Sequence, residues 1–384
     1  MPRAERPASP EACAELLRAC ADGGSTVRVR GGGTKDGIST RQETAVVLET
    51  AGLAGIIDHV PEDLTATVGA GTTLAALREA LAAHGQFLPL DAPHVARGAT
   101  VGGVIGANSS GFGRYRYGSV RDLLLGLRAA LPDGTLARAG GRVVKNVAGY
   151  DLNKLFTGSF GTLGVVVEAT FKILPIPPVS RAAEATFATA IDAFGAADAI
   201  VRTSLRPTAL VVERADDRRW RVVIAAAGER APVDRAIAEF ARVCAARGVT
   251  AAPVGDPDAA LGPLREIVDS AADGIVVRAA LPLSAQPAFA DAAAQADRGA
   301  RVVADAASGI ANVHLREDRA GLVAAADALL ANARVLGGSA RIERSSLSDL
   351  DIAVAAPPGA FLMRRLKDAF DPRGILEPAR SVIG

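Results

Sequence analysis

Apolar positions along the chain recur with two periods, and stretches of one alternate with stretches of the other. Over 11–21 they return every three or four residues, which predicts an amphipathic helix. Cys13 and Cys20, seven apart, fit one face of it. Val27-Arg28-Val29-Arg30 alternates as a short strand and runs into Gly31-Gly32-Gly33; 45–48 and 64–68 read as further strands. Over 72–84, Leu74, Leu77 and Leu81 keep helical spacing, Thr72 or Thr73 can cap the start, and Gly85 ends it. A strand is predicted over 123–131, a turn at Pro132-Asp133-Gly134 into a second strand, and a long strand over 162–174.

Beyond the stiff Pro175-Ile176-Pro177-Pro178 the chain becomes rich in Ala, Val and Arg. Strands are predicted at 209–213, 220–227, 274–280, 301–305 and 311–316, and helices at 232–247, 284–296 and 318–333. Strands arriving in adjacent pairs imply an antiparallel sheet with helices on one face. The reading is α+β in two domains, 1–175 and 180–350, with a distinct tail over 357–384. A length of 384 residues, at about 150 per domain, agrees.

Composition narrows the function classes. Lys and Arg number 43 against 42 Asp and Glu, and aromatics are 4%, so neither a basic nucleic-acid face nor a single-strand stacking platform is expected. The cysteines Cys13, Cys20 and Cys244 form no CxxC pair, so neither a disulfide framework nor a zinc site is indicated and a reducing cytoplasm is expected. Residues 1–10 lack the apolar core of a signal peptide, and no stretch approaches the roughly 18 apolar residues of a membrane span.

The densest chemistry lies in GATVGGVIGANSSGFGRYRYG, 98–118, where seven of 21 residues are glycine. Such a run is expected to form neither a good helix nor a central strand; it suits a loop whose backbone N–H groups approach a ligand closely. A mobile surface loop is the alternative, but Val101, Val104 and Ile105 look buried. In Arg30-Gly31-Gly32-Gly33-Thr34-Lys35, successive N–H groups could converge on an anion with Arg30 or Lys35 adding charge, and a plain glycine turn fits equally well. Gly158 to Val165 is a third glycine turn, feeding a buried strand. Gly69-Ala70-Gly71-Thr72-Thr73-Leu74 fails as a dinucleotide fingerprint because Leu74 stands where Gly or Ala is needed, and no GxxxxGK[ST] loop occurs.

RGGGTK (30–35), LPLD (88–91), ATVGGVIGANSSG (99–111), RYRYG (114–118), RDLLLGL (121–127), GGRVVKNVAGYDLNKLFTGSFGTLG (140–164) and FDPRGILEPAR (370–380) follow one another in this order. Together they resemble the FAD-binding domain of the vanillyl-alcohol oxidase/p-cresol methylhydroxylase superfamily, and within it the E-subunit family of bacterial glycolate oxidases. The resemblance implies a two-subdomain FAD-binding domain of the p-cresol methylhydroxylase type plus an α+β cap domain with an antiparallel sheet, the tail returning to the FAD domain. It implies that Gly31, Gly32, Gly33 and Thr34 hold the FAD pyrophosphate. Asp91, Thr100, Gly102 and Gly103 match a second phosphate- and flavin-contacting segment; Asn108, Ser109, Ser110 and Gly111 match the loop beside the isoalloxazine; Gly161, Gly164 and Val165 match a turn whose backbone meets the cofactor.

Three departures from the family pattern matter. Thr34 stands where some relatives attach flavin through histidine, which implies non-covalent FAD. The metal-linked HxGDGNxH motif of active 2-hydroxy-acid members is missing, and His314, alone in a strand-like stretch, reads as structural. Glu377-Pro378-Ala379-Arg380 replaces the usual NPGK, putting the tail's contact with the flavin in doubt. Arg114 and Arg116, able to clamp a carboxylate, and Tyr150 are the catalytic candidates, against a packed Tyr150 and arginines paired with surface acids. The implied partners are a flavoprotein D subunit, an iron–sulfur F subunit and a small 2-hydroxy acid. The expected location is cytoplasmic, with the inner membrane reached only through the complex. Either the chain relays electrons for its paralogue or it oxidises substrate itself.

Overall fold

A computed structural model describes residues 2–36, 43–141, 151–214, 218–268, 274–347 and 359–377. They form two compact units, one of 2–110, 118–176 and 359–377, the other of 111–117 and 177–347.

In the first unit, the helix Pro10–Asp22 starts where Ser9 Oγ accepts the Ala12 N–H at 3.1 Å, with proline in its first turn. Its apolar stripe (Cys13, Leu17, Cys20) is buried between two sheets. One is parallel, with Val46–Glu49 between Arg3–Glu5 and Val27–Arg30. The other is antiparallel, in the order Ile56–Val60, Thr65–Gly69, Val165–Lys172, Leu124–Ala130, Leu136–Gly140. The C-terminal segment extends the parallel sheet: Val27 N–H donates to Ile375 O at 2.8 Å, and Glu377 N–H to Val27 O at 2.9 Å. Lys367, from the helix Ala360–Phe370, fastens that segment by donating to the carbonyls of Thr162 (2.8 Å) and Leu376 (2.9 Å) and pairing with buried Asp371.

One cap resolves between the two candidates the sequence allows. Thr73, not Thr72, caps the helix Leu74–Ala82, while Thr72 Oγ1 accepts from Gly55 N–H and donates to Gly55 O. The run 98–118 departs from expectation, because Val101–Ala107 is a helix, capped by Thr100. Glycine's low intrinsic propensity is overridden by packing. Val101, Val104 and Ile105 are buried, and a Cβ on Gly102 would sit 3.0 Å from Ala70 Cβ, so a bulkier helix could not approach so closely.

The second unit is an eight-stranded antiparallel sheet in the order Ala252–Val254, Val179–Phe187, Trp220–Gly228, Ala209–Arg214, Arg301–Asp305, Ile310–Leu315, Ile275–Ala280, Ser339–Ser345. Helices Ala190–Val201, Arg230–Ala245, Gln286–Ala296 and Arg319–Val335 cover one face around Phe187, Phe194, Trp220, Phe240 and Phe289. The one-face expectation needs correction. Leu261 and Leu264 of the helix Pro257–Arg265 pack on the opposite face, against Val211 and Val223. Alternation explains this: those valines point away from the four helices, so their apolar surface needs its own cover. Further along, that second face turns polar with Glu213, Asn312, Arg278 and Arg341. No helix among the described residues is long and apolar enough to cross a membrane.

Candidate cofactor site

The strand Val27–Arg30 delivers Gly31–Gly33 to the wall of a cleft in the first unit. The helix Val101–Ala107 and the turn at 159–166 supply other walls, and the space, including its open mouth, is about 700 Å³. The helix and the turn are joined by backbone. Gly158 N–H donates to Ile105 O at 3.0 Å and Phe160 N–H to Gly106 O at 2.8 Å, which holds Phe160 at φ +53°.

Close approach accounts for two of the glycines. A Cβ on Gly31 would lie 2.3 Å from Thr100 Oγ1, and one on Gly32 would lie 1.9 Å from Gly98 O. The loop therefore presses backbone to backbone against the start of the helix. Among the described residues no acceptor takes the N–H of Gly31, Gly32, Gly33 or Thr34, so these donors are available to a ligand. Arg30 does not add free charge as expected: it is ion-paired to Asp36 at 3.1 Å and lies 3.8 Å from Glu49. Neutral amide donors in a cleft with internally balanced charge suit a diphosphate, so the residues fit the FAD that the motifs imply.

Ten of the fifteen predicted cofactor residues line this cleft: Gly31, Gly32, Gly33, Thr34, Thr100, Gly102, Gly103, Gly161, Gly164 and Val165. The other five are not among its walls. Asn108 is exposed, in the left-handed region, and ends the helix; Ser110 is buried and accepts the Val120 N–H at 3.3 Å. Asp91 and Ser109 are half-buried, and Gly111 begins the segment that belongs to the second unit. The sequence reading missed Thr50, Gly106, Ser159 and Phe160 as lining residues; Ser159 and Phe160 lay inside a quoted glycine turn, whereas Thr50 carried no signal.

Glu377 is buried at φ +43°, and its Oε1 accepts the Val29 N–H at 2.6 Å. Its Cγ lies 3.7 Å from where a Gly161 Cβ would stand, so this tail residue supports the cleft wall. Pro378 to Arg380 lie outside the described residues, as do Lys145, Asn146 and the catalytic candidate Tyr150. Arg114 (half-buried) and Arg116 (exposed) sit in the short helix Arg114–Tyr117 of the second unit. Between them, Tyr115 accepts from Arg206 Nη1 at 3.3 Å, so its hydroxyl is already engaged.

Comparison with known proteins agrees with the cleft. The family described as FAD binding domain matches residues 3–140. The chain is 42% identical to glycolate oxidase subunit GlcE of Escherichia coli over 140 residues, 36% of this chain and 40% of that protein. It is 36% identical to a D-lactate dehydrogenase of Archaeoglobus fulgidus over 172 residues, 44% of this chain and 38% of that protein. The chain thus spans about two fifths of the length of these relatives. A crystal structure of p-cresol methylhydroxylase with substrate bound superposes with a TM-score of 0.78 at 19% identity, covering 99% of this chain and 88% of that one. The family match falls on the strand, glycine loop and helix that build the cleft, the fold carrying them is the p-cresol methylhydroxylase fold, and FAD is the cofactor.

Proposed function

We propose that the chain is an FAD-dependent oxidoreductase of 2-hydroxy-acid metabolism, working as the E-type flavoprotein subunit of a glycolate oxidase complex. The observation that carries the reading is the cleft of free Gly31–Thr34 amides, which falls within the FAD-binding-domain match over residues 3–140, in a chain similar to a glycolate oxidase subunit and a D-lactate dehydrogenase. In this reading Gly31, Gly32, Gly33 and Thr34 hold the pyrophosphate, and Thr100, Gly102, Gly103, Gly161, Gly164 and Val165 enclose the cofactor. Among the described lining residues none is His, Cys or Tyr, which supports non-covalent attachment. Bound FAD supplies a two-electron acceptor: a 2-hydroxy acid that gives up a hydride and its hydroxyl proton becomes the 2-oxo acid. The partners are a flavoprotein D subunit and an iron–sulfur F subunit, in the cytoplasm.

The test is the visible spectrum of the purified chain, recorded anaerobically before and after glycolate, alone and with the two partner subunits. Bound flavin that bleaches only in the reconstituted complex supports the subunit reading. Bleaching in the isolated chain shows a substrate site of its own. A chain that takes up no FAD, or a complex whose turnover is unaffected by its omission, overturns the proposal.

A further inference from the structure

We infer that the helix-free face of the eight-stranded sheet carries a carboxylate site centred on Arg278, and that its ligand is a small monocarboxylate of the 2-hydroxy-acid class. The identity of that acid rests on the function proposed above; the anion site rests on the sheet itself.

Register places Arg278, in Ile275–Ala280, directly opposite Asn312 on one neighbouring strand and Arg341 on the other. Like charges facing one another across strands destabilise a sheet. Arg341 is relieved by Glu343, which accepts from its Nε at 2.9 Å and lies 2.8 Å from its Nη2. Arg278 has no such ion pair among the described residues. Among the described residues its hydrogen-bond partner is Asn312 Oδ1 at 3.5 Å, the outer limit of a bond, and no carboxylate comes within ion-pair distance.

Arg114 sharpens the imbalance. It lies close enough for its charge to act on Arg278, and among the described residues it has no ion pair. Desolvation is the main cause that draws the Arg278 pKa below the ordinary value; Arg341 and Arg114 add to it, and Glu343 and Asp305 oppose it. The carboxylate whose charge acts most strongly on Arg278, Glu343, is thus already engaged by Arg341.

Elsewhere on the same face the sheet pairs its arginines closely. Arg221 donates Nε and Nη2 to one oxygen of Glu213 at 2.9 and 2.7 Å, and Arg301 donates to the other at 3.1 and 2.7 Å. Arg278 is the contrast: a crowded guanidinium whose planar fork suits one carboxylate bidentately.

The experiment is calorimetric titration of the FAD-loaded full chain with glycolate, with its neutral isostere glycolamide, and with inorganic phosphate. Wild type is expected to bind glycolate at least about tenfold more tightly than either of the others, a difference of about 1.4 kcal/mol. Arg278→Gln should abolish the preference and Arg278→Lys should keep part of it. Arg278→Gln removes a poorly compensated charge, so its unliganded Tm should equal or exceed that of wild type, and glycolate should raise Tm only in wild type. Equal binding of glycolate and glycolamide, equal binding of phosphate, or unchanged glycolate binding in Arg278→Gln overturns the site. Anaerobic spectra separate the two readings. Glycolate binding that needs Arg278, beside flavin that no hydroxy acid bleaches in chain or complex, keeps the site and removes the oxidation. Bleaching indifferent to Arg278→Gln does the reverse.

Discussion

Replacing Gly31 by alanine probes the fit between the first glycine loop and the helix behind it. The added methyl would stand 2.3 Å from Thr100 Oγ1, far inside van der Waals contact, and 3.5 Å from Thr100 Cβ. Two escapes exist. Thr100 can rotate, giving up the bond its Oγ1 accepts from Gly103 N–H at 3.3 Å, at the usual cost of a lost N-cap, about 1 kcal/mol. Otherwise the loop backbone moves, and the amides of residues 31–34 move with it. Gly31→Ala should therefore cost roughly 1–3 kcal/mol of stability, and Thr100→Ala about 1 kcal/mol. FAD binding by Gly31→Ala should weaken by about tenfold, near 1.4 kcal/mol. In the double mutant the clashing oxygen is gone, and the nearest remaining atom is the residue-100 Cβ at an ordinary 3.5 Å. The pair should then cost little more than Thr100→Ala alone, a coupling of about 1–3 kcal/mol. Urea midpoints of the FAD-free chain and quenching of FAD fluorescence on titration measure both cycles. Strictly additive penalties would refute the packing argument.

Gly32→Ala offers no such escape, because its methyl meets backbone, Gly98 O at 1.9 Å; FAD content after purification should fall below that of Gly31→Ala, with no rescue by Thr100→Ala. Glu213→Gln leaves Arg221 and Arg301 facing an amide in a buried site, so about 2–4 kcal/mol of stability should be lost, read as the urea midpoint. Glu377→Ala strands the half-buried Val29 N–H and should cost about 1–3 kcal/mol, with lower FAD affinity as the cleft wall loosens. Burial pushes the thiols of Cys13 and Cys244 up to about 12 and 11 from 9. The folded state therefore keeps protons that the unfolded chain releases, and stability should decline as pH rises through about 9 to 11. In the native protein these thiols should resist a disulfide reagent at pH 8 and react once unfolded; labelling of the folded chain would contradict the burial.

Local physics carried much of this protein in plain sight. Period-two and period-3.6 patterns marked five strands and three helices of the second unit to within a few residues, whereas Val179–Phe187, Ala190–Val201, Ala252–Val254, Pro257–Arg265 and Ser339–Ser345 were not picked out. The glycine runs at 31–33 and 161–164 announced close backbone approach, and the cleft is built on them. What the tertiary structure decided were matters of partnership between distant residues. The helix Val101–Ala107 exists because Ala70 and the turn at 158–160 accept it, against glycine's own preference. Arg30 is occupied by Asp36 and Glu49, Glu377 reaches back 348 positions to Val29, and Arg278 is set opposite Arg341 by strand register alone. A sequence specifies which groups it contains and how each stretch curls. Only the closed chain determines which charges meet, which amides stay free, and therefore where an anion is held.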